Sequence, residues 1–234
     1  MCGIYCSISS AANNEPPNRL VRLLNSRGPD SCSAHRVVFR KHRSDLPLYL
    51  YFHSTVLSLR GPAVVAQPLV DEKSGSVLCW NGEAWRIAST TITADDALAV
   101  FNVLLQAAAQ DSASGDAKAC RYVASVIASV VGPFALVFYD AQNGLVYYGR
   151  DCLGRRSLLC KSGAAHGLTL ASTGCADGDY HEVEADGIYM VDLQQISQRQ
   201  TASTCFRWVA GDSKDVAADR LVGAQDRNTP FNSP

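Results

Sequence analysis

The sequence contains no apolar run of the roughly 18–20 residues needed to cross a bilayer. Its longest apolar stretches, 122–131 and 134–139, stop far short. It also lacks a secretory signal, because it reads Met1-Cys2-Gly3-Ile4-Tyr5-Cys6-Ser7 and turns polar by Ser9, with no basic segment ahead of an apolar one. These absences predict a cytoplasmic chain with no membrane partner. Charge of one sign is missing too: 21 Lys and Arg stand against 22 Asp and Glu, for a net charge of -1 and no basic stripe. Nucleic acid is therefore excluded as an expected partner. Nine cysteines are present, but the number is odd and no two stand at Cys-x-x-Cys spacing. Neither a metal site nor a disulfide framework is indicated, and all but Cys2 are expected to be buried small apolar residues.

What the chain does have is enough apolar material for a core, with 47% hydrophobic and 18% charged residues over 234 positions. One domain over 2–210 is expected, followed by a polar tail or linker over 211–234, where periodicity fades. Residues 2–8 read as a strand beginning at the terminus. Pro16-Pro17 introduces a helix over 19–26 with Leu20, Leu23 and Leu24 at helical spacing, and Gly28-Pro29 ends it. Strands are predicted over 48–52, 55–59, 76–80, 134–139, 145–148, 157–160, 168–172 and 188–193, with a hairpin across 140–144. Thr93 is the expected cap of a helix whose first turn carries Asp95 and Asp96 and whose buried face is marked by Leu98, Phe101 and Leu105. A further helix over 121–130 aligns Val123, Ile127 and Val130. Strands at both ends with helices between them predict an α+β domain.

The chemistry begins at Cys2. Small residues at position 2 permit removal of Met1, and a terminal cysteine carries nucleophile and base on one residue. Its α-amine, with a pKa of about 7.7–8.0, can take the proton of a thiol whose own value is about 8.5. Thiolate attack on a carbonyl needs donors for the developing oxyanion, and Asn81-Gly82 at a strand end offers a side-chain amide beside a backbone N–H. The same pair is also a common hairpin turn, so its weight lies in combination with other motifs.

Met1-Cys2-Gly3-Ile4, Arg27-Gly28-Pro29-Asp30, Gln67-Pro68-Leu69, Trp80-Asn81-Gly82-Glu83, Gly132-Pro133-Phe134-Ala135 and Gly149-Arg150-Asp151-x-x-Gly154 occur in this order. Together, over about residues 2–193, they resemble class II glutamine amidotransferases, which are N-terminal-nucleophile hydrolases. Within these they are similar to asparagine synthetases. Leu59-Arg60-Gly61, Trp80 and Gly154-Arg155-Arg156-Ser157-Leu158-Leu159 are similar to the subgroup of asparagine synthetase domain-containing proteins.

The resemblance implies a four-layer αββα sandwich with the site at the mouth between its sheets. Cys2 would attack the side-chain amide of glutamine, while Asn81 and Gly82 hold the oxyanion. Glu83 and Asp96 would face the α-amino end, with Leu59 and Arg60 lining the pocket. Asp96 reads equally as a helix-start carboxylate, and Arg150 and Asp151 read as structural. No cofactor is implied for this domain; ATP and magnesium belong to a synthetase module whose Ser-Gly-Gly-x-Asp-Ser loop does not occur here. The implied partners are glutamine and such a module, in cis or in trans. Asparagine synthetases usually clamp the glutamine carboxylate with an arginine before their Leu-Ser-Ile segment, where this chain has Val56. Arg60, four residues on, is a candidate substitute. The alternative reading is a degenerate amidotransferase fold kept as an interaction module.

Overall fold

Side chains alternate along the first strand, β1 (Gly3–Ser9), so that Ile4, Cys6 and Ile8 enter one apolar layer and Tyr5 another. That alternation, repeated along the neighbouring strands, stacks the whole molecule. The computed structural model describes residues 1–41, 46–59, 61, 63–114, 121–162, 167–175, 179–196, 203–208 and 221–225. Numbering strands in chain order, one six-stranded antiparallel sheet runs β13 (His181–Glu182), β11 (Leu159–Ser162), β12 (Leu168–Ala171), β1, β3 (Leu48–Val56), β2 (Ser31–Phe39). A seven-stranded sheet runs β16 (Leu221–Gln225), β15 (Thr204–Trp208), β14 (Gly187–Asp192), β10 (Leu145–Arg150), β9 (Phe134–Asp140), β5 (Val77–Gly82), β4 (Leu69–Val70). A small third sheet joins β7 (Thr90–Thr91), β6 (Arg86–Ile87) and β8 (Val130–Val131).

The two large sheets face each other. Ile4, Cys6, Leu50 and Phe52 of the first pack with Val77, Cys79, Val137, Tyr139, Val146 and Tyr148 of the second. On the outer side of the second sheet, Leu78, Trp80, Phe134, Leu136, Phe138 and Tyr147 pack against α2 (Asp96–Ser114) and α3 (Arg121–Ala128). The outer side of the first sheet carries α1 (Asn18–Arg27), whose Leu20 and Leu24 are fully buried with Tyr5 and Tyr51. Each of these leucines contributes about 1.5–3 kcal/mol by leaving water. The layer order α1, sheet, sheet, α2 with α3 is the αββα sandwich.

Several local expectations change. The predicted strands 48–52 and 55–59 are one strand, β3, which ends at Val56 and leaves residues 57–59 outside it. Asp95, not Thr93, caps α2, through its Oδ1 and the Leu98 N–H at 2.9 Å. The buried stripe of α2 is Ala97, Val100, Phe101, Leu104 and Ala108, packed in the layer outside the second sheet, while Leu98 is 42% exposed. Val130 lies on β8, beyond the end of α3. Cys32 on edge strand β2 and Cys152 in the turn after β10 are exposed, whereas Cys6, Cys79, Cys160 and Cys205 are buried as expected. Of residues 211–234, the five from 221 to 225 are described, as β16 beside β15, and the others lie outside the described residues.

Candidate active site

Parity along two strands brings the nucleophile and the amide together. Cys2 precedes β1 with the parity of Ile4 and Cys6, and Asn81, next to last in β5, has the parity of Val77 and Cys79. Both therefore project between the sheets, at the end where the apolar filling stops. There an open cleft of ≈ 540 Å³ is lined by residues that include Cys2, Leu57, Leu59, Gln67, Asn81, Gly82, Glu83, Asp96 and Arg156.

Asn81 and Gly82 do not form a turn. They stay in β5, paired with Ala135 and Phe134 of β9. Asn81 is 1% exposed, yet its Nδ2 has no hydrogen-bond partner among the described residues. A buried donor left unpaired costs on the order of 1–3 kcal/mol, so a ligand acceptor at this position would recover that energy. The neighbouring N–H can be oriented by the ladder. Glu83 N–H donates to the Pro133 carbonyl at 2.9 Å, while Phe134 N–H donates to Asp151 Oδ2 at 3.1 Å and its carbonyl accepts from Asp151 N–H at 3.0 Å, so Gly82 and Phe134 form a non-hydrogen-bonded pair of the antiparallel ladder. Trp80 N–H donates to Gln67 Oε1 at 2.7 Å, and Gly82, two residues on, directs its N–H to the same side, along the cleft. Both donors belong to residues that line the same cleft as Cys2.

The thiol itself is held. Cys2 Sγ donates to the Leu57 carbonyl at 3.8 Å. Burial pushes the Cys2 thiol up, opposed by that carbonyl contact and by the positive charges of the terminal amine and Arg156. At neutral pH the Cys2 thiol is therefore protonated. Burial pushes the Met1 amine down, opposed by Cys2, with Arg27 and Arg156 acting in the same direction as burial.

Arg27-Gly28-Pro29-Asp30 is the brace under this arrangement. Arg27 Nε donates to the Cys2 carbonyl at 3.2 Å and a second nitrogen reaches Ser157 Oγ at 3.2 Å. Asp30 N–H donates to the Val56 carbonyl at 2.9 Å, while Asp30 Oδ2 receives the Ser58 N–H at 2.8 Å, fixing the cleft-lining segment after β3. Gly28 passes so close to β3 that an added Cβ would stand 2.5 Å from Val56 N. Backbone cannot yield as a flexible side chain can, so Gly28→Ala is expected to destabilise the fold by about 1–3 kcal/mol, lowering Tm by roughly 2–12 °C. An unchanged thermal melt would remove the brace from the account.

Asp96 lines the cleft, and its Oδ2 also accepts Trp80 Nε1–H at 2.9 Å and Ala84 N–H at 2.8 Å. Burial pushes its carboxyl up, opposed by those two donors. Asp96 is thus a helix-start carboxylate that also borders the cleft. Glu83 lines the cleft with Oε1 3.1 Å from Arg156. Leu59 stands at its mouth, 63% exposed, and Arg60 lies outside the described residues. Arg150 and Asp151 do not line it. Arg150 pairs with Glu182 at 2.6 Å, Asp151 with Arg155 at 2.8 Å, and Gly154, at φ +62, lets the loop fold over the Arg150 guanidinium. Arg156 is the lining residue that sequence reasoning passed over. Its position in a subgroup motif was the available signal, but nothing local shows that it turns into the cleft while Arg155 covers the Trp85 ring at 5.7 Å.

Comparison with known proteins bears on this geometry. A family model described as a glutamine amidotransferase domain matches residues 1–210. Asparagine synthetase domain-containing protein 1 of Homo sapiens is 30% identical over 202 residues, covering 83% of this chain and 29% of that protein. Its Bos taurus counterpart is 31% identical over 209 residues, covering 86% and 30%. The chain thus spans about a third of the length of these relatives. Among solved structures, glutamine phosphoribosylpyrophosphate amidotransferase from B. subtilis superposes with a TM-score of 0.53 at 14% identity, over 87% of this chain and 49% of that one, a likeness of fold.

Proposed function

The chain belongs to the class II glutamine amidotransferase domain family, and from that premise we propose that, once Met1 is removed, it hydrolyses L-glutamine to glutamate and ammonia with Cys2 as nucleophile. The observation that carries this reading is the buried, unpartnered Asn81 Nδ2 in the same cleft as the Cys2 thiol. The α-amine of Cys2 takes the thiol proton as Sγ bonds to the amide carbon, and the carbonyl π electrons move onto its oxygen. Asn81 Nδ2–H and Gly82 N–H hold that oxyanion. The oxyanion collapses, the C–N bond breaks, and the amine's proton passes to the leaving nitrogen, which departs as ammonia. Water then attacks the thioester, giving a proton to the same amine. Glutamate leaves, and the proton returns to sulfur.

Glu83 and Asp96 are proposed to receive the substrate's α-ammonium, and the segment at Leu59 to border its chain. This domain needs no cofactor for these steps. The ammonia would serve an asparagine synthetase-like module, in cis or in trans, which is where ATP and magnesium would act. The test is ammonia and glutamate release from glutamine by protein whose N-terminus is verified by mass spectrometry, together with labelling by diazo-oxo-norleucine. Turnover and a label on Cys2 are expected. No turnover, or a label on another cysteine of the native protein, would overturn the assignment.

One observation favours the second reading, a fold retained for interaction. Val56, standing where asparagine synthetases usually have a carboxylate-holding arginine, is apolar and 4% exposed, so it cannot receive the glutamine carboxylate.

A further inference from the structure

Arg156 is the only Lys or Arg among the described residues lining the cleft, which also has the carboxylates of Asp95, Asp96 and Glu83 in its wall. Its side chain is 18% exposed, and one terminal nitrogen meets Glu83 Oε1 at 3.1 Å. Its Nε is buried with no partner among the described residues. A guanidinium presents its N–H groups as a rigid planar fork matched to a carboxylate, and the Glu83 contact engages one prong. The residues on either side are pinned. Asp151 accepts from Leu153 N, Arg155 N and Arg155 Nε. Ser157 Oγ donates to the Ser172 carbonyl at 2.7 Å and accepts from Arg27, which also holds the Cys2 carbonyl. Arg156 is therefore presented to the cleft by the same brace that holds the nucleophile.

We propose that Arg156 receives the α-carboxylate of the amino-acid substrate, and that it forms with Glu83 a charge pair which opens to accept a zwitterionic α-amino-acid head, ammonium on Glu83 and carboxylate on Arg156. This rests on the glutamine-hydrolysis reading and deepens it. It assigns the carboxylate to a loop between β10 and β11, and it leaves Val56 with no binding duty. A purely structural ion pair is the competing account, in which Arg156 and Glu83 hold each other and no substrate touches either.

The experiment compares Met1-free wild type, Arg156→Gln and Arg156→Lys on L-glutamine and on 4-aminobutanamide, which keeps the amine and the side-chain amide but lacks the carboxylate. Loss of a charged hydrogen-bonding partner is expected to raise KM for glutamine on the order of 10²-fold in Arg156→Gln, with kcat within a few-fold. The preference of wild type for glutamine over 4-aminobutanamide should collapse in Arg156→Gln, and Arg156→Lys should restore part of it. An unchanged KM, or a preference that survives Arg156→Gln, overturns the proposal. Should Arg156→Gln fail to fold, Arg156→Lys keeps the charge, and an undiminished preference there overturns the fork. Calorimetric titration of glutamine into Cys2→Ala separates this proposal from the reaction it rests on. Binding to Cys2→Ala that is lost on adding Arg156→Gln, when Met1-free wild type shows no turnover, supports Arg156 and overturns hydrolysis. Turnover that is indifferent to Arg156→Gln does the reverse. Neither binding nor turnover overturns both.

Discussion

A preparation that keeps Met1 throughout is expected to lose glutamine hydrolysis by on the order of 10²–10⁴-fold, while melting at the same temperature as protein that begins at Cys2. With Met1 in place the nitrogen of Cys2 is a peptide amide with no basic lone pair, and the Met1 side chain occupies the lining of the cleft. Met1 is 47% exposed, so its presence costs or contributes little to folding. The thiol cannot act without a base, because burial pushes it up from its ordinary value. Cys2→Ser should lose at least as much activity, since a hydroxyl is far harder to deprotonate than a thiol. The pH profile gives a second readout. The neutral amine is the active form, so activity is lost as pH falls through the amine's pKa. An ordinary α-amine titrates at about 7.7–8.0, so the rate should fall as pH drops through that range. Full activity in a sample whose mass shows Met1 retained would sink the amine as base.

The strands that build the inter-sheet layer were legible because burial on both faces writes itself as continuous apolar sequence, as in 134–139 and 145–148. β2 was not, although it pairs with β3 along its whole length. It is an edge strand whose residues are mostly exposed, so Ser31, Cys32, Ser33 and Arg36 give no apolar alternation to read. The face of α2 was misassigned for another reason: a helix of Ala, Leu and Val is apolar on several sides, and packing against the second sheet and α3 selects the stripe of Ala97, Val100, Phe101, Leu104 and Ala108.

Cys2, Asn81, Gly82 and Glu83 could be picked out together because they fall in the Met1-Cys2-Gly3-Ile4 and Trp80-Asn81-Gly82-Glu83 motifs that carry the resemblance. Arg156 could not. Its approach to the cleft depends on a loop after β10 being tied by Arg27 and Ser172 to the start of β1, contacts that join residues 130 and 168 positions apart. No local pattern encodes closures of that length. For Asn81-Gly82 the dipeptide alone is ambiguous between a strand end and a turn, and pairing with Ala135 and Phe134 keeps it extended beside the cleft.

Asn81→Ala is expected to lower kcat by on the order of 10²–10³, with a much smaller change in KM and little change in Tm. The argument turns on what Asn81 Nδ2 does not touch. Buried and without a partner among the described residues, it contributes no hydrogen bond to the folded state that alanine would remove. The loss of three side-chain heavy atoms at the mouth of the inter-sheet layer, beside open cleft, leaves no closed cavity there. If the donor is instead matched to an oxygen that becomes negatively charged only during reaction, its removal acts on the barrier and not on substrate affinity. The split between kcat and KM therefore separates the possible roles. A raised KM at constant kcat would make Asn81 a binding residue. A large fall in Tm would make it structural, and a fall in kcat with the melt and KM preserved is the result that the unpaired amide predicts.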